Sequence, residues 1–198
     1  MTTSNTSCRL VLASTSPFRK EILAKLGLAF ETAAPDIDES PIEKETPEQL
    51  VVRLAEQKAR AVSDNFPEHL IIGSDQVAVI DEKILGKPHT HERAVEQLSN
   101  ASGKTVRFYT GLCLYNSKTN TTQSEAVPFD VVFRKLTSSQ IENYLLAEKP
   151  YNCAGSFKSE ALGITLFEKL QGDDPNTLIG LPLIRLVAML EKEGLYPI

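Results

Sequence analysis

Short apolar runs and amphipathic helical segments alternate along this chain, with no internal repeat, low-complexity segment or long linker between them. The first unit is the apolar run 9–13, which breaks at Ser14-Thr15-Ser16-Pro17. A buried strand feeding a helix has this pattern, with Ser16 as the N-cap and Pro17 as the first helical residue. The intermixing of both element types predicts an α/β fold with a mixed, twisted sheet flanked by helices.

The length of the chain fits one domain, or two small lobes sharing a core, because it has 198 residues. We expect this domain to span residues 9–198. Residues 1–8 are mostly Thr, Ser and Asn and have neither the basic nor the apolar region of a signal peptide. They are expected to form a disordered tail.

Capping signals and apolar periodicity predict the remaining elements. Capping boxes at 46–49 and 137–140 indicate helix starts, Thr90 can cap a third helix, and 181–193 has the pattern of a closing amphipathic helix. Expected strands are 30–34, 105–115, 125–134 and 164–167. The apolar runs 70–72 and 77–80 indicate one buried strand or hairpin arm, interrupted by Gly73-Ser74-Asp75-Gln76.

Charge and cysteine content exclude several classes of partner. The chain carries 21 Lys and Arg against 26 Asp and Glu, a formal charge of −5. This balance disfavours nucleic acid or an anionic membrane as a partner, although basic groups that converge locally still suit a small anionic ligand. The three cysteines, Cys8, Cys113 and Cys153, are far apart. They therefore indicate free thiols in a reducing compartment, and the cytoplasm is expected.

Two charged residues interrupt apolar patterns. Asp75 lies between two strand-like runs, where an isolated carboxylate costs several kcal/mol unless it is paired, hydrogen-bonded or metal-bound. A turn between two antiparallel strands is the alternative explanation. Lys58 shares a helical face with apolar residues at 51, 54, 55 and 62. It either extends its stem along the edge of that face or reaches an anion held at the sheet.

The junction between the first strand and the first helix offers an anion site. Free backbone N–H groups at a helix start, hydroxyls such as that of Ser14, and the guanidinium of Arg19 all suit phosphate. Capping by Ser16 and an exposed Arg19 would explain the same residues without a ligand. Lys87, in a Gly-Lys-Pro turn, is a further candidate cation, and Glu39 in the acidic segment 35–41 could bind a divalent cation beside a phosphate.

Six motifs occur in the order and spacing of the Maf-like nucleotide pyrophosphatases, and the sequence resembles that family from about Leu10 to Leu190. The motifs are Ala-Ser-Thr-Ser-Pro-Phe-Arg at 13–19, Asp-Ile-Asp-Glu at 36–39, Gln-Lys-Ala at 57–59, Gly-Ser-Asp-Gln at 73–76, Gly-Lys-Pro at 86–88 and Thr-Gly at 110–111. The resemblance implies a fold like that of inosine-triphosphate pyrophosphatases. It also implies a cytoplasmic enzyme, dependent on Mg²⁺ or Mn²⁺, that cleaves nucleoside triphosphates between the α and β phosphates. Such proteins are often homodimers.

Roles follow from the resemblance position by position. Asp75 matches the catalytic carboxylate, expected to act as general base on water, with metal ligation as the alternative. Glu39 matches the acidic position and is expected to bind the metal. The phosphate-site positions are matched by Ser14, Arg19, Lys58 and Lys87.

Three positions resemble the branch of the family that hydrolyses 7-methyl-GTP rather than the branch that acts on dTTP and UTP. They are Phe18, Gln76 and Glu160. Methylation at N7 makes guanine cationic, so the Phe18 ring could attract it by a cation–π interaction. The Glu160 carboxylate could accept hydrogen bonds from guanine N1–H and its N2 amine.

Three other functions stay open. The chain could be a dTTP/UTP pyrophosphatase of the same family, which a panel of nucleotides would distinguish. It could be a nucleotide-sensing module without turnover, although a sensor has no need to keep Asp75 together with its cations. It could also be a structural domain whose unusual residues serve only as caps and turns.

Overall fold

Seven strands form one mixed sheet in the computed structural model of this protein, which describes residues 9–198. The predicted tail at 1–8 lies outside the described residues. The helices and strands follow one another as β1 (Arg9–Ala13), α1 (Pro17–Ala24), β2 (Phe30–Ala33), α2 (Pro47–Ala61), β3 (His69–Ile80), β4 (Lys83–Leu85), α3 (His91–Ala101), β5 (Thr105–Asn116), β6 (Thr121–Phe133), α4 (Ser138–Glu148), β7 (Phe167–Gln171), α5 (Pro175–Ile179) and α6 (Leu183–Lys192).

The sheet joins a parallel part to an antiparallel part, which confirms the predicted mixed α/β architecture. Its strand order is β2-β1-β3-β5-β6-β7, and β4 also pairs with β3. Strands β2, β1 and β3 run parallel, whereas β4, β5, β6 and β7 add antiparallel pairs. Parallel neighbours need crossover connections, and α1 and α2 supply them.

The middle of β3 has a strand partner on one side only. Strand β1 pairs with residues 69–72 of β3, and β4 pairs with residues 78–80. Residues 73–77, which include Asp75, pair with β5 alone. Strand β1 ends beside this opening and turns into α1. Because ligands of open α/β sheets bind at the carboxyl ends of parallel strands, this opening is the part of the sheet suited to a site.

Buried apolar side chains cover both faces of the sheet. One cluster lies under α2 and includes Val11, Ala55, Ala59, Ile71 and Cys113. A second lies under α1 and α6, and a third lies between the antiparallel part of the sheet and helices α3 and α4. In the third cluster the Phe133, Phe157 and Phe167 rings meet edge to face, with centroids 4.9–5.6 Å apart, a favourable aromatic geometry.

Two glycines in adjacent strands let α2 lie directly on the sheet. A Cβ atom on Gly73 would stand 1.9 Å from the carbonyl oxygen of Ala55, and one on Gly111 would stand 2.0 Å from that of Val51. No side chain fits at these distances. Gly111 is the register partner of Asp75, so this close contact brings α2 to the strand position that carries the carboxylate.

The structure settles three local details of the sequence analysis. The runs 70–72 and 77–80 form one continuous strand, β3, as the single-strand interpretation predicts, so the alternative of a turn at Asp75 is wrong. The strand predicted at 164–167 is instead a 3₁₀ turn, Leu162–Leu166, followed by β7. Helix α5 was not predicted at all. Its signals were the Asp174 N-cap, Pro175 at the first helical position and Gly180 at the end.

Replacing Gly111 with Ala is expected to destabilise the protein, because the new methyl group would collide with the backbone of α2. We expect the free energy of unfolding in urea to fall by about 3 kcal/mol. Gly86→Ala is the control, since a Cβ atom there meets nothing within 4 Å, and its change should stay within about 0.5 kcal/mol. Equal stability of the two variants would contradict the close packing of α2.

Candidate active site

A buried lysine joins two acidic residues beside the opening in the sheet. The Lys58 ammonium nitrogen lies 2.6 Å from Oδ1 of Asp75 and 2.7 Å from Oε1 of Glu39. Lys58 is 6% exposed and Asp75 is 8% exposed. Charges buried to this degree are tolerated when they are paired and hydrogen-bonded. The anion that Lys58 reaches at the sheet is therefore a carboxylate of the protein itself.

Arg53 fixes the loop that carries Glu39. Its guanidinium forms two hydrogen bonds with the carboxylate of Glu45, of 2.6 and 2.8 Å. It also donates to the backbone oxygen of Ser40 at 3.1 Å. A bidentate Arg–carboxylate pair holds a defined geometry, so the acidic loop is attached to α2 next to Lys58.

The charges around Glu39 and Arg19 act on one another. The hydrogen bond from Lys58 lowers the pKa of Glu39, and the positive charges of Lys87 and Arg19 lower it further. Burial lowers the pKa of Arg19, an effect that the negative charges of Asp75 and Glu39 oppose. These mutual effects place the cations Arg19, Lys58 and Lys87 in one electrostatic environment with two carboxylates.

The segment after β1 is held by its own hydroxyls. The backbone N–H of Ser16 donates to Oγ of Ser14 at 3.1 Å, and that of Arg19 donates to Oγ of Ser16 at 3.4 Å. The Arg19 Nε–H and the Ser74 hydroxyl both donate to the carbonyl of Gly180, at 2.9 and 2.8 Å. The end of α5 thus fixes the direction of Arg19.

A cleft of about 280 Å³ opens beside this segment. Five of the residues predicted to form the site line it: Phe18, Arg19, Gln76, Lys87 and Glu160. Phe18 is 39% exposed, so its ring is accessible from the cleft. The other four, Ser14, Glu39, Lys58 and Asp75, are outside the lining. Asp75 precedes Gln76 on β3, and Glu39 lies within the fields of Arg19 and Lys87.

The α5 side of the cleft and the segment 152–157 were missed by the sequence analysis. Leu178 and Ile179 line the cleft from α5, and Asn152, Cys153 and Phe157 line it from the segment before Glu160. The capping signals at Asp174 and Gly180 would have located α5, but no local pattern indicated its contact with β3. A larger groove of about 680 Å³ along α2 has none of the predicted residues in its lining.

Comparisons with known proteins agree with this geometry. The sequence model of the family described as "Maf-like protein" matches residues 9–193. This chain belongs to that family. A protein named 7-methyl-GTP pyrophosphatase from Nitrosococcus oceani is 62% identical over 96% of this chain and 94% of its own length. A protein of the same name from Colwellia psychrerythraea is 60% identical over 94% of this chain and 93% of its own length.

Solved structures support the fold of this Maf-like protein. The Staphylococcus aureus Ham1 protein superposes with a TM-score of 0.55 at 14% identity, covering 93% of this chain and 99% of that protein. A HAM1 protein from Coxiella burnetii gives 0.51 at 13% identity, with coverages of 93% and 98%. The predicted likeness to the inosine-triphosphate pyrophosphatase fold is thereby confirmed. Among the helices described in residues 9–198, none combines the length and the hydropathy that a membrane span requires.

The carboxylates of the Maf-like site fit a divalent cation shared with a ligand. Within the described chain, no three His, Cys, Asp or Glu side chains converge as a ready-made metal centre. Glu39 and Asp75, however, both contact the Lys58 nitrogen, so their carboxylates lie close together. Mg²⁺ and Mn²⁺ suit oxygen ligands, and Mg²⁺ is usually bound by one or two carboxylates together with phosphate oxygens and water. This donor set fits such an ion.

Replacing Lys58 with Met should raise the pKa of Glu39, because the hydrogen bond that stabilises its ionised form is removed. In the native protein this pKa is lowered, so the ionised Glu39 contributes to the stability of the folded protein at neutral pH. This contribution is lost as the pH falls through the lowered pKa of Glu39. Carboxyl ¹³C NMR of Glu39 measures the change. Lys44→Met, which removes only the exposed 3.9 Å contact with Glu43, should leave the Glu39 titration unchanged. An equal shift in both variants would contradict the assignment.

Proposed function

We propose that this Maf-like protein hydrolyses 7-methyl-GTP to 7-methyl-GMP and pyrophosphate. The observation that carries the proposal is the cleft in which Phe18, Gln76 and Glu160 face the same space as Arg19 and Lys87. An aromatic ring and a carboxylate suit a cationic purine, and the two cations suit phosphates. The two relatives named 7-methyl-GTP pyrophosphatase, each at least 60% identical over nearly the whole chain, support the same substrate.

The reaction is the attack of water on the α-phosphorus. A bond forms between the water oxygen and phosphorus, the bond from phosphorus to the oxygen bridging to the β-phosphate breaks, and pyrophosphate leaves. Asp75 accepts the proton of the water as general base. Arg19, Lys58 and Lys87 offset the negative charge of the phosphates and of the leaving group, while Ser14 keeps the segment after β1 in place through its bond to Ser16.

A divalent cation, Mg²⁺ or Mn²⁺, completes the proposal. When bound, it would neutralise charge on the phosphate oxygens. Glu39 would hold it, with Asp75 as the alternative ligand. Lys58 contacts both carboxylates, so its ammonium would share their oxygens with the ion.

Selectivity for the base rests on two kinds of contact. The Phe18 ring lies against the cleft and can stack on the positively charged 7-methylguanine, an interaction worth about 0.5–2 kcal/mol. The Glu160 carboxylate can accept hydrogen bonds from N1–H and the N2 amine of guanine. A pyrimidine with one N–H between two carbonyls gives that carboxylate less to bind.

The cellular setting is part of the proposal. The substrate is a free nucleotide, so no nucleic acid or membrane partner is invoked. Cys113 and Cys153 are free thiols in the described chain, which supports a reducing compartment such as the cytoplasm. The family resemblance implies a homodimer, and sedimentation measures this oligomeric state.

Purified protein with Mg²⁺ or Mn²⁺ should release pyrophosphate from 7-methyl-GTP with a higher kcat/KM than from GTP, dTTP, UTP or CTP.

Asp75→Asn should lower kcat about 10²–10⁴-fold, because the general base is lost. Asp81→Asn, which changes an exposed aspartate paired with Lys104, is the matched control. Metal titration of Asp75→Asn separates the roles of general base and metal ligand, since weaker binding of Mg²⁺ or Mn²⁺ by this variant indicates that Asp75 is a metal ligand. Preference for dTTP would support the other branch, and binding without pyrophosphate release would support a sensing module.

Glu160→Gln should lower the ratio of kcat/KM for 7-methyl-GTP to that for dTTP by about tenfold, because a charge-assisted hydrogen bond becomes a neutral one. The control is Glu168→Gln, which changes an exposed glutamate on β7. An unchanged ratio in Glu160→Gln would reject the contact between Glu160 and the base.

A further inference from the structure

The side chain of Gln76 is anchored to buried groups behind the cleft. Its amide nitrogen lies 2.8 Å from Oγ1 of Thr110, 2.8 Å from the carbonyl oxygen of Thr177 and 3.2 Å from that of Leu178. Thr110 is the register partner of Gln76 on β5, and both it and Thr177 are fully buried. One face of the amide is therefore held by β5 and α5.

The chemistry of these partners fixes which end of the amide faces them. Backbone carbonyls only accept hydrogen bonds, so the atom against Thr177 and Leu178 must be the NH₂ group. The Thr110 hydroxyl gives its hydrogen to the Thr177 carbonyl at 2.9 Å, which leaves it as an acceptor toward Gln76. All three contacts therefore require the same orientation.

The other end of the amide is left for the cleft. Gln76 is part of the cleft lining, and no hydrogen bond joins its Oε1 atom to another residue in the described part of the chain. With its hydrogens directed toward Thr110 and α5, the side chain offers only an acceptor to a ligand.

We propose that Thr110 is a positioning residue for base selection, because its hydroxyl, together with the two α5 carbonyls, holds the Gln76 amide with the carbonyl oxygen toward the base. This inference rests on the proposed function and adds the source of its selectivity. Gln76 and Glu160 then present two acceptor groups to the cleft. Guanine carries two neighbouring donors, N1–H and the N2 amine, and its methylation at N7 makes both more acidic and therefore stronger donors.

Pyrimidines are disfavoured by the same arrangement. Uracil and thymine have a single N–H between two carbonyl oxygens, so a second fixed acceptor faces an acceptor of the base. Such a contact is repulsive and leaves both oxygens without their water. An amide free to rotate would instead donate an N–H to the pyrimidine carbonyl and remove the penalty.

Thr110→Val tests the proposal, since valine has nearly the shape of threonine but no hydroxyl. Because the two α5 carbonyls still accept from the Gln76 amide, this variant loosens the amide and does not release it. We expect the ratio of kcat/KM for 7-methyl-GTP to that for UTP to fall about fivefold, as for the loss of one hydrogen bond, partly through a rise in the value for UTP. Thr110→Ser, which restores the hydroxyl, should keep the ratio within about twofold of the native protein. Damage to packing alone would lower both values together.

A ratio in Thr110→Val within twofold of the native value would overturn the proposal. Where that variant fails to fold, Gln76→Glu replaces it, because a carboxylate keeps an oxygen toward the cleft but has no hydrogen for Thr110 or the α5 carbonyls. Loss of the purine preference in Gln76→Glu supports the anchoring, and retention overturns it. Absence of pyrophosphate release by the native protein from every nucleotide contradicts the proposed function instead.

Discussion

The contact of α2 with the two glycines of the sheet determines how the site is built. Because Gly73 and Gly111 have no side chains, the α2 backbone lies against β3 and β5. A helix carried farther away by larger residues could not place the Lys58 ammonium 2.6 Å from Asp75. The same contact positions Arg53, which holds the acidic loop and hence Glu39. The packing of α2 on the two glycines therefore also determines the electrostatics of the site, because Lys58 reaches the two carboxylates only at this distance between helix and sheet.

Local signals in the sequence were enough to predict most elements, because caps and apolar periodicity act within a few residues. The Ser16, Thr46 and Thr137 caps are all present with the predicted hydrogen bonds. Asp75 and Lys58 were found because each contradicts the apolar pattern around it. Their direct pairing could not be predicted, since it depends on the distance between a helix and a strand, and periodicity carries no information on that distance.

Long-range contacts account for what the sequence did not show. The anchoring of Gln76 joins residues 34, 101 and 102 positions apart along the chain, and the short helix α5 that provides two of the partners has only five residues. So short a helix has almost no periodicity to detect. Similarly, the opening beside β3 exists because β1 ends and β4 begins at different positions along one strand, a property of pairing register rather than of any local motif.

The two ends of the cleft differ in how firmly their side chains are held, and this difference matches two different tasks. At the proposed base end, Gln76 is fixed to a buried hydroxyl and two backbone carbonyls, so its acceptor stays in one place before any ligand arrives. At the proposed phosphate end, Lys87 lines the cleft on a flexible, exposed stem. Its charge acts on Glu39, and its ammonium can follow phosphate groups during bond cleavage. In the proposed reaction, fixed acceptors would reject the wrong base by unmatched hydrogen bonds, whereas a flexible cation would tolerate charge that moves from the α-phosphate to the leaving group.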